Sequence, residues 1–173
     1  RSAKLIGATG TYATAELTLA PSEDISIQFR LYKENAATMY PLYYGNGTKR
    51  VYLEIDSTES LRYYSGAGSV TTVGSITANA WMLLECNNFN WTAYTYDIWL
   101  NGTKVKSAAA MHNSTNANGK VWVIGDGVNG NDSWFDNFII RNFRATEPAW
   151  GTWGAEEYDG SFTTESAVAS ATM

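Results

Sequence analysis

The segment YTYDIWLNGTKVKS, residues 94–107, limits the possible folds of this chain more than any other. Tyr94, Tyr96, Ile98 and Leu100 alternate with Thr95, Asp97 and Trp99, the period of two that places successive side chains on opposite faces of a strand. Asn101-Gly102 follows at once. Both residues tolerate positive φ, so the pair predicts a tight type I′ turn that returns the chain as a second strand over Thr103–Ser107. Lys120–Gly125 and Trp134–Arg144 read as two further strands, separated by a loop dense in Gly, Asn and Asp. Strands joined in this way form an antiparallel sheet, and any site belongs on its face or its loops.

The first half carries the same pattern. Thr9–Leu19 alternates loosely until Pro21-Ser22-Glu23-Asp24 breaks it. Ile25–Tyr32 alternates cleanly, with Ile25, Ile27, Phe29 and Leu31 on one side and Ser26, Gln28, Arg30 and Tyr32 on the other. Tyr40–Gly45 and Lys49–Asp56 flank Asn46-Gly47, a second hairpin signal, and Ser60–Ser65 and Ser69–Val73 flank Gly66-Ala67-Gly68. Trp81–Cys86 is a compact apolar run, read as a strand buried on both faces. No amphipathic helix longer than a turn or two is legible. Roughly a dozen short strands spaced by turns predict an all-β, antiparallel two-sheet β-sandwich or jelly roll.

At 173 residues the chain suits one domain with a real core. The sandwich is expected over residues 1–157, with 158–173 as a tail. The tail sequence SFTTESAVASATM is poor in bulky side chains. It would become ordered by pairing with a sheet edge, its own or a neighbour's, or by packing onto its own domain. No signal peptide is legible, and a start at Arg1 rather than Met reads as a processed or trimmed product.

Composition excludes several classes. A net charge of −5 argues against a nucleic-acid partner, and no apolar run approaches the ~18 residues of a membrane span. The single cysteine, Cys86, excludes an internal disulfide and reads as a buried, inert thiol. The single histidine, His112, lies in the polar stretch AAAMHNSTNANG, and any Cys–His or Ser–His–Asp arrangement would have to use it. The 7 Trp and 11 Tyr fit strands and supply ring faces on which sugars stack.

Taken together, YDIWLNGTKV, VWVIGDG and WFDNFIIRNFRATEP resemble the C-terminal half of concanavalin A-like jelly rolls of the laminin-G type. That pattern has a strand ending in an Asn-Gly hairpin, a strand ending in Ile-Gly and a final strand opening with Phe-Asp-Asn. RNFRATEP and the Gly- and Glu-rich stretch after it are similar to an uncharacterised concanavalin-like domain of archaeal and bacterial surface proteins. The resemblance covers residues 24–157. It implies a β-sandwich that often binds carbohydrate, sometimes holds structural calcium, and is catalytic only in certain branches.

Three kinds of site follow. Concanavalin-like glucanases point three acids from one strand into a cleft, and YLEIDSTE offers Glu54, Asp56 and Glu59. Glu54 and Asp56 share a face, but Glu59 falls beyond a Ser57-Thr58 turn, so the alternative is a solvated strand end and no catalytic residue is assigned. For calcium, Asp136 sits among Phe135, Phe138, Ile139 and Ile140, which read as buried, and a carboxylate there needs a cation or hydrogen bonds. Asp126, Asn129, Asn131 and Asp132 in the preceding loop add hard oxygen donors of the type Ca²⁺ takes; the alternative is an Asx turn with Asp136 held by backbone amides. For glycans, the candidates among Tyr43, Tyr44, Tyr63, Tyr64, Trp99 and Trp134 reduce to Tyr43, Tyr63, Trp99 and Trp134. Sequons at Asn46, Asn90, Asn101, Asn113 and Asn131 fall in turns or loops, as glycosylation acceptors or simply as turn residues.

The resulting expectation is a non-catalytic structural-adhesive module of an extracellular, cell-surface or virion setting. It self-assembles with copies of itself into a filament or array and binds polysaccharide or glycoprotein glycans. A monomeric lectin-like module is the alternative, and a glycoside-active enzyme the second alternative.

Overall fold

The computed structural model describes residues 3–6, 14–34, 38–113, 119–124 and 132–143. Every regular element among them is a strand: β1 (Ala3–Ile6), β2 (Thr14–Thr18), β3 (Ile25–Lys33), β4 (Met39–Gly45), β5 (Lys49–Ile55), β6 (Ser60–Ser65), β7 (Ser69–Ser75), β8 (Trp81–Asn90), β9 (Thr95–Leu100), β10 (Thr103–Ala110), β11 (His112–Asn113), β12 (Lys120–Ile124) and β13 (Asp132–Asn142). They form two antiparallel sheets, in the orders β1-β13-β3-β8-β9-β10 and β2-β12-β4-β5-β6-β7, with the short β11 pairing against β5. The sheets pack as a sandwich, and the all-β expectation is met.

The alternation explains the core. On one sheet Ile27, Phe29 and Leu31 of β3 point inward with Leu84 and Cys86 of β8 and Ile98 of β9. On the other, Leu42 and Tyr44 of β4, Val51, Leu53 and Ile55 of β5 and Leu61 of β6 meet them. Cys86 is wholly buried, and burial pushes its thiol well above the ordinary range, so it packs as an inert apolar group.

The two Asn-Gly turns work differently. Asn101 and Gly102 have φ of 50° and 77°, the two consecutive positive values of a type I′ turn, and Leu100 pairs with Thr103. At the other turn only Gly47 is positive; the Asn46 Oδ1 accepts the amides of Thr48 and Lys49 at 3.0 and 2.8 Å, an Asx turn.

Four readings change. β8 is not buried on both faces: its outer residues include Trp81 at 45% exposure, and the strand runs on to Asn90. Tyr94 leaves the β9 alternation, because its φ of 57° places it in the preceding turn. β1 and β11 were not legible, since neither is long enough to show a period. His112, expected in a loop, is a strand residue paired with Arg50. Residues 144–157 and the tail at 158–173 lie outside the described residues. No helix among the described residues is long and apolar enough to cross a membrane.

Candidate functional site

The site grows from the side chains that β4, β5 and β6 turn away from the core between the sheets. Because Val51, Leu53 and Ile55 face the core, Arg50, Tyr52 and Glu54 face outward. The hairpin register sets Tyr43 directly opposite Tyr52, and the pairing of Leu53 with Tyr63 brings Tyr64 alongside Tyr52 on the next strand. A bulge between Met39 and Leu42 turns Tyr40 to the same side.

The result is an aromatic platform. Tyr52 stacks on Tyr64 with ring centroids 4.1 Å apart and planes 17° from parallel, and meets Tyr43 edge-on at 4.5 Å. Tyr40 closes one end, 5.6 Å from Tyr52, and His112 the other, 5.4 Å from Tyr52 and 6.2 Å from Tyr64. Burial, reinforced at Tyr43 by a hydrogen bond with Tyr52 and at Tyr64 by one with Glu54, pushes both phenols up. They therefore stay protonated in any physiological range.

Arg50 lies within this wall. Its guanidinium carbon sits 4.5 Å from the Tyr43 ring centroid and 4.6 Å from that of Tyr52, and the residue is only 7% exposed. Its Nε is buried without a partner, and among the described residues no carboxylate lies within ion-pair distance of it. Each cation–π contact is worth ~1–2 kcal/mol when desolvated, against several kcal/mol for taking the charge out of water, so the rings do not fully compensate the guanidinium. His112, opposite Arg50 in register, has a buried Nδ1 without a partner. Burial, then the charges of Arg50 and Lys49, pushes this imidazole down, so it is neutral at pH 7.

The acidic strand end is not solvated, contrary to the reading above. Glu54 is 3% exposed; Arg62 Nη2 donates to its Oε1 and the Tyr64 hydroxyl to its Oε2. Asp56 is also buried; its Oδ1 accepts the amides of Thr58 at 2.8 Å and Ser60 at 2.9 Å and the Thr58 hydroxyl at 2.8 Å, while Arg62 Nη1 lies 3.0 Å from its Oδ2. Burial pushes this carboxyl up, but those bonds and Arg62 outweigh it and hold it below its usual range. Glu59 is set apart in the turn at φ 63°. Both acids that share the face are thus committed to Arg62, Tyr64 and the turn.

The opposite sheet carries a cleft of about 380 Å³ between Gln28, Glu85, Trp99 and Arg141. Its polar groups satisfy one another: Glu85 Oε1 accepts from Ser26 Oγ at 2.6 Å and Asn87 Nδ2 at 2.8 Å, and the Trp99 indole donates to Asn87 Oδ1 at 3.2 Å. Lys104 lies over the Trp99 ring at 4.9 Å and pairs with Asp97 at 2.7 Å.

The structure therefore divides the predicted glycan residues. Tyr43 is at the base of the platform, 8% exposed, with Tyr40 and Tyr52 packed against it. Trp99 and Trp134 lie on the other sheet, Trp134 edge-on to Tyr32 at 5.1 Å. Tyr63 is corrected to the core, 6% exposed, because the β6 alternation turns it inward; Tyr44 is likewise core. Tyr40, Tyr52, Arg50 and His112 were missed. The β5 alternation marks Arg50 and Tyr52 as outward, but nothing in the sequence ties residue 112 to residue 50.

Of the calcium donors, Asp126, Asn129 and Asn131 lie outside the described residues, and Asp132 is described only as the first residue of β13. Asp136 is not enclosed by apolar side chains: Phe138 and Ile139 are exposed, and its Oδ1 accepts the Asn137 amide at 2.8 Å. Among the described residues no cluster of His, Cys, Asp or Glu is arranged to hold a metal. The sequon side chains Asn46, Asn90 and Asn101 use their Oδ1 atoms in local turns or hairpin contacts, and that of Asn113 accepts from Lys49 Nζ.

No protein-family profile matches the chain, and no curated protein does. Solved structures do. The chain is similar to a sialidase (12% identity, TM-score 0.60), covering 82% of this chain and 15% of that one. It is similar to the receptor-binding domain of botulinum neurotoxin D (11% identity, TM-score 0.57; 84% of this chain, 41% of that one). It is also similar to Cip1, a cellulose-induced protein (15% identity, TM-score 0.58; 85% and 82%). The chain thus spans under half the length of the first two. These likenesses establish a jelly-roll, concanavalin-like fold, in line with the resemblance read from the strand motifs.

Proposed function

We propose that this chain is a non-catalytic, carbohydrate-binding jelly-roll module of an extracellular surface, and that it binds sugar on the Tyr40–Tyr43–Tyr52–Tyr64 platform. The observation that carries this reading is the platform itself: four tyrosines gathered on the outer face of one sheet, with a histidine and a nearly buried arginine set among them. Sugar rings present C–H faces that stack on aromatic rings, and protonated phenols donate to their hydroxyls. A non-catalytic role is supported by the engagement of Glu54 and Asp56, which leaves that strand no free carboxylate pair of the kind glycoside hydrolysis needs. The laminin-G-type branch suggested by the β9–β13 motifs is kept as part of this proposal.

The test is calorimetric titration with a panel of oligosaccharides, comparing wild type with Tyr64→Ala. Binding to at least one glycan, weakened ~10-fold by loss of the ring, is expected. An unchanged affinity in Tyr64→Ala, or no binding across the panel, would defeat the proposal. Release of new reducing ends or unsaturated products from any of these glycans would defeat its non-catalytic part.

Self-assembly is retained as a second reading on one observation. The sheet edge β7, SVTTVGS, is exposed along Ser69–Thr72 and carries neither charge nor proline, the features that normally keep edge strands from pairing with copies.

A further inference from the structure

We propose that the saccharide taken by the tyrosine platform is acidic, and that its carboxylate is received by the Arg50 guanidinium with His112 alongside. This inference rests on the sugar-binding reading above and narrows it to a ligand class.

Three features of the face converge. Arg50 is more than nine-tenths buried, carries a permanent charge, and makes no hydrogen bond or ion pair among the described residues; its Nε is buried and unpartnered. Among the described residues the faces of Tyr43 and Tyr52 flank it and hold the fork in place without using its donors. A guanidinium fixed in this way offers the fork that a planar carboxylate fills with two parallel bonds. The second feature is His112, whose buried Nδ1 also lacks a partner and which stands opposite Arg50 in register.

The third is the distribution of charge. The chain as a whole carries −5, and the two acids of this face, Glu54 and Asp56, are both paired with Arg62, while Arg50 keeps its charge unpaired among the described residues. Lys49 itself is turned toward Asn113 and lies 5.0 Å from the Tyr94 ring centroid, which leaves Arg50 as the cation facing the platform. An anionic ligand would be drawn by the Arg50 charge against the overall field, so its preference should weaken with salt. A neutral sugar could stack on the tyrosines but would leave the guanidinium as it is; a uronic acid would both stack and complete it.

The test compares three probes on the wild-type chain: a uronate oligosaccharide, the same oligosaccharide with its carboxyls reduced to alcohols, and a sulfated neutral oligosaccharide. Affinity for the uronate at least ~10-fold above its reduced counterpart, falling as salt is raised, is expected. In Arg50→Gln the difference between the two should vanish. Because a change at a buried site can impair folding, a second measurement needs no mutation. The chain has one histidine, so its imidazole gives a single NMR titration. Burial holds its pKa down first, and among Arg50, Lys49, Tyr52 and Tyr64, the groups that face it, the two cations add to that. A bound carboxylate should raise that pKa, and the reduced oligosaccharide should not.

Equal affinity for the acid and its reduced form, or tighter binding of the reduced form, would overturn the inference while leaving sugar binding intact. Tighter binding of the sulfated probe than of the uronate would overturn the assignment to a carboxylate. Failure of all three probes to bind would overturn the sugar-binding reading and this inference with it.

Discussion

Arg62 decides what the acidic strand can do. Alternation alone places Glu54 and Asp56 on one face, as the sequence indicates, but their state depends on a cation eight residues on that reaches both. A carboxylate with two or three donors and a guanidinium is a structural anchor rather than a proton shuttle. The consequence is a pH dependence of stability. The Asp56 carboxyl is held below its usual range in the fold, so its stabilising effect is fully present above the unfolded value of about 3.9 and is lost as pH falls through the folded one. Asp56→Asn should cost about 1–2 kcal/mol near neutrality by denaturant unfolding, and the gap to wild type should close as the pH drops below about 4. A gap of constant size across that range would mean that the carboxylate's charge contributes nothing.

Hairpins were the most legible elements, because their signal is local. Asn101-Gly102 declares its own turn, and the strands on either side follow. Elements whose existence depends on distant partners were not legible: β11 is two residues long and exists because β5 offers Arg50 and Lys49 to pair with. The edge β7 was recognised as a strand, though which strand lies at a sheet edge is a property of the assembled sheet. If that uncharged edge pairs with other copies, Thr71→Lys, at an exposed edge position opposite Tyr63, should abolish concentration-dependent scattering without lowering the melting temperature. Scattering that persists in this variant would exclude the edge as the route to assembly.

For the molecule as a whole, the fold followed from alternation and turn chemistry because a sandwich requires little else: apolar positions on inner faces and tight returns between them. The site did not follow in the same way. Six outward side chains from β4, β5, β6 and β11 meet only after register, a bulge at Tyr40 and the return of residue 112 have been fixed. Of these six, only Tyr43 is among the glycan candidates retained from the sequence; Tyr64 is named there among the aromatics and then set aside. Trp99 and Trp134 offer the same ring chemistry in the sequence and lie on the opposite sheet, where the 380 Å³ cleft offers a rival location. The two sheets can be told apart in solution. The most direct measurement is an amide chemical-shift map of the chain titrated with a glycan it binds. The account predicts that the perturbed amides cluster in β4, β5, β6 and β11 around Tyr52 and His112. Perturbations gathered instead in β3, β8 and β9 around Glu85 and Trp99 would contradict it and move sugar binding to the other face.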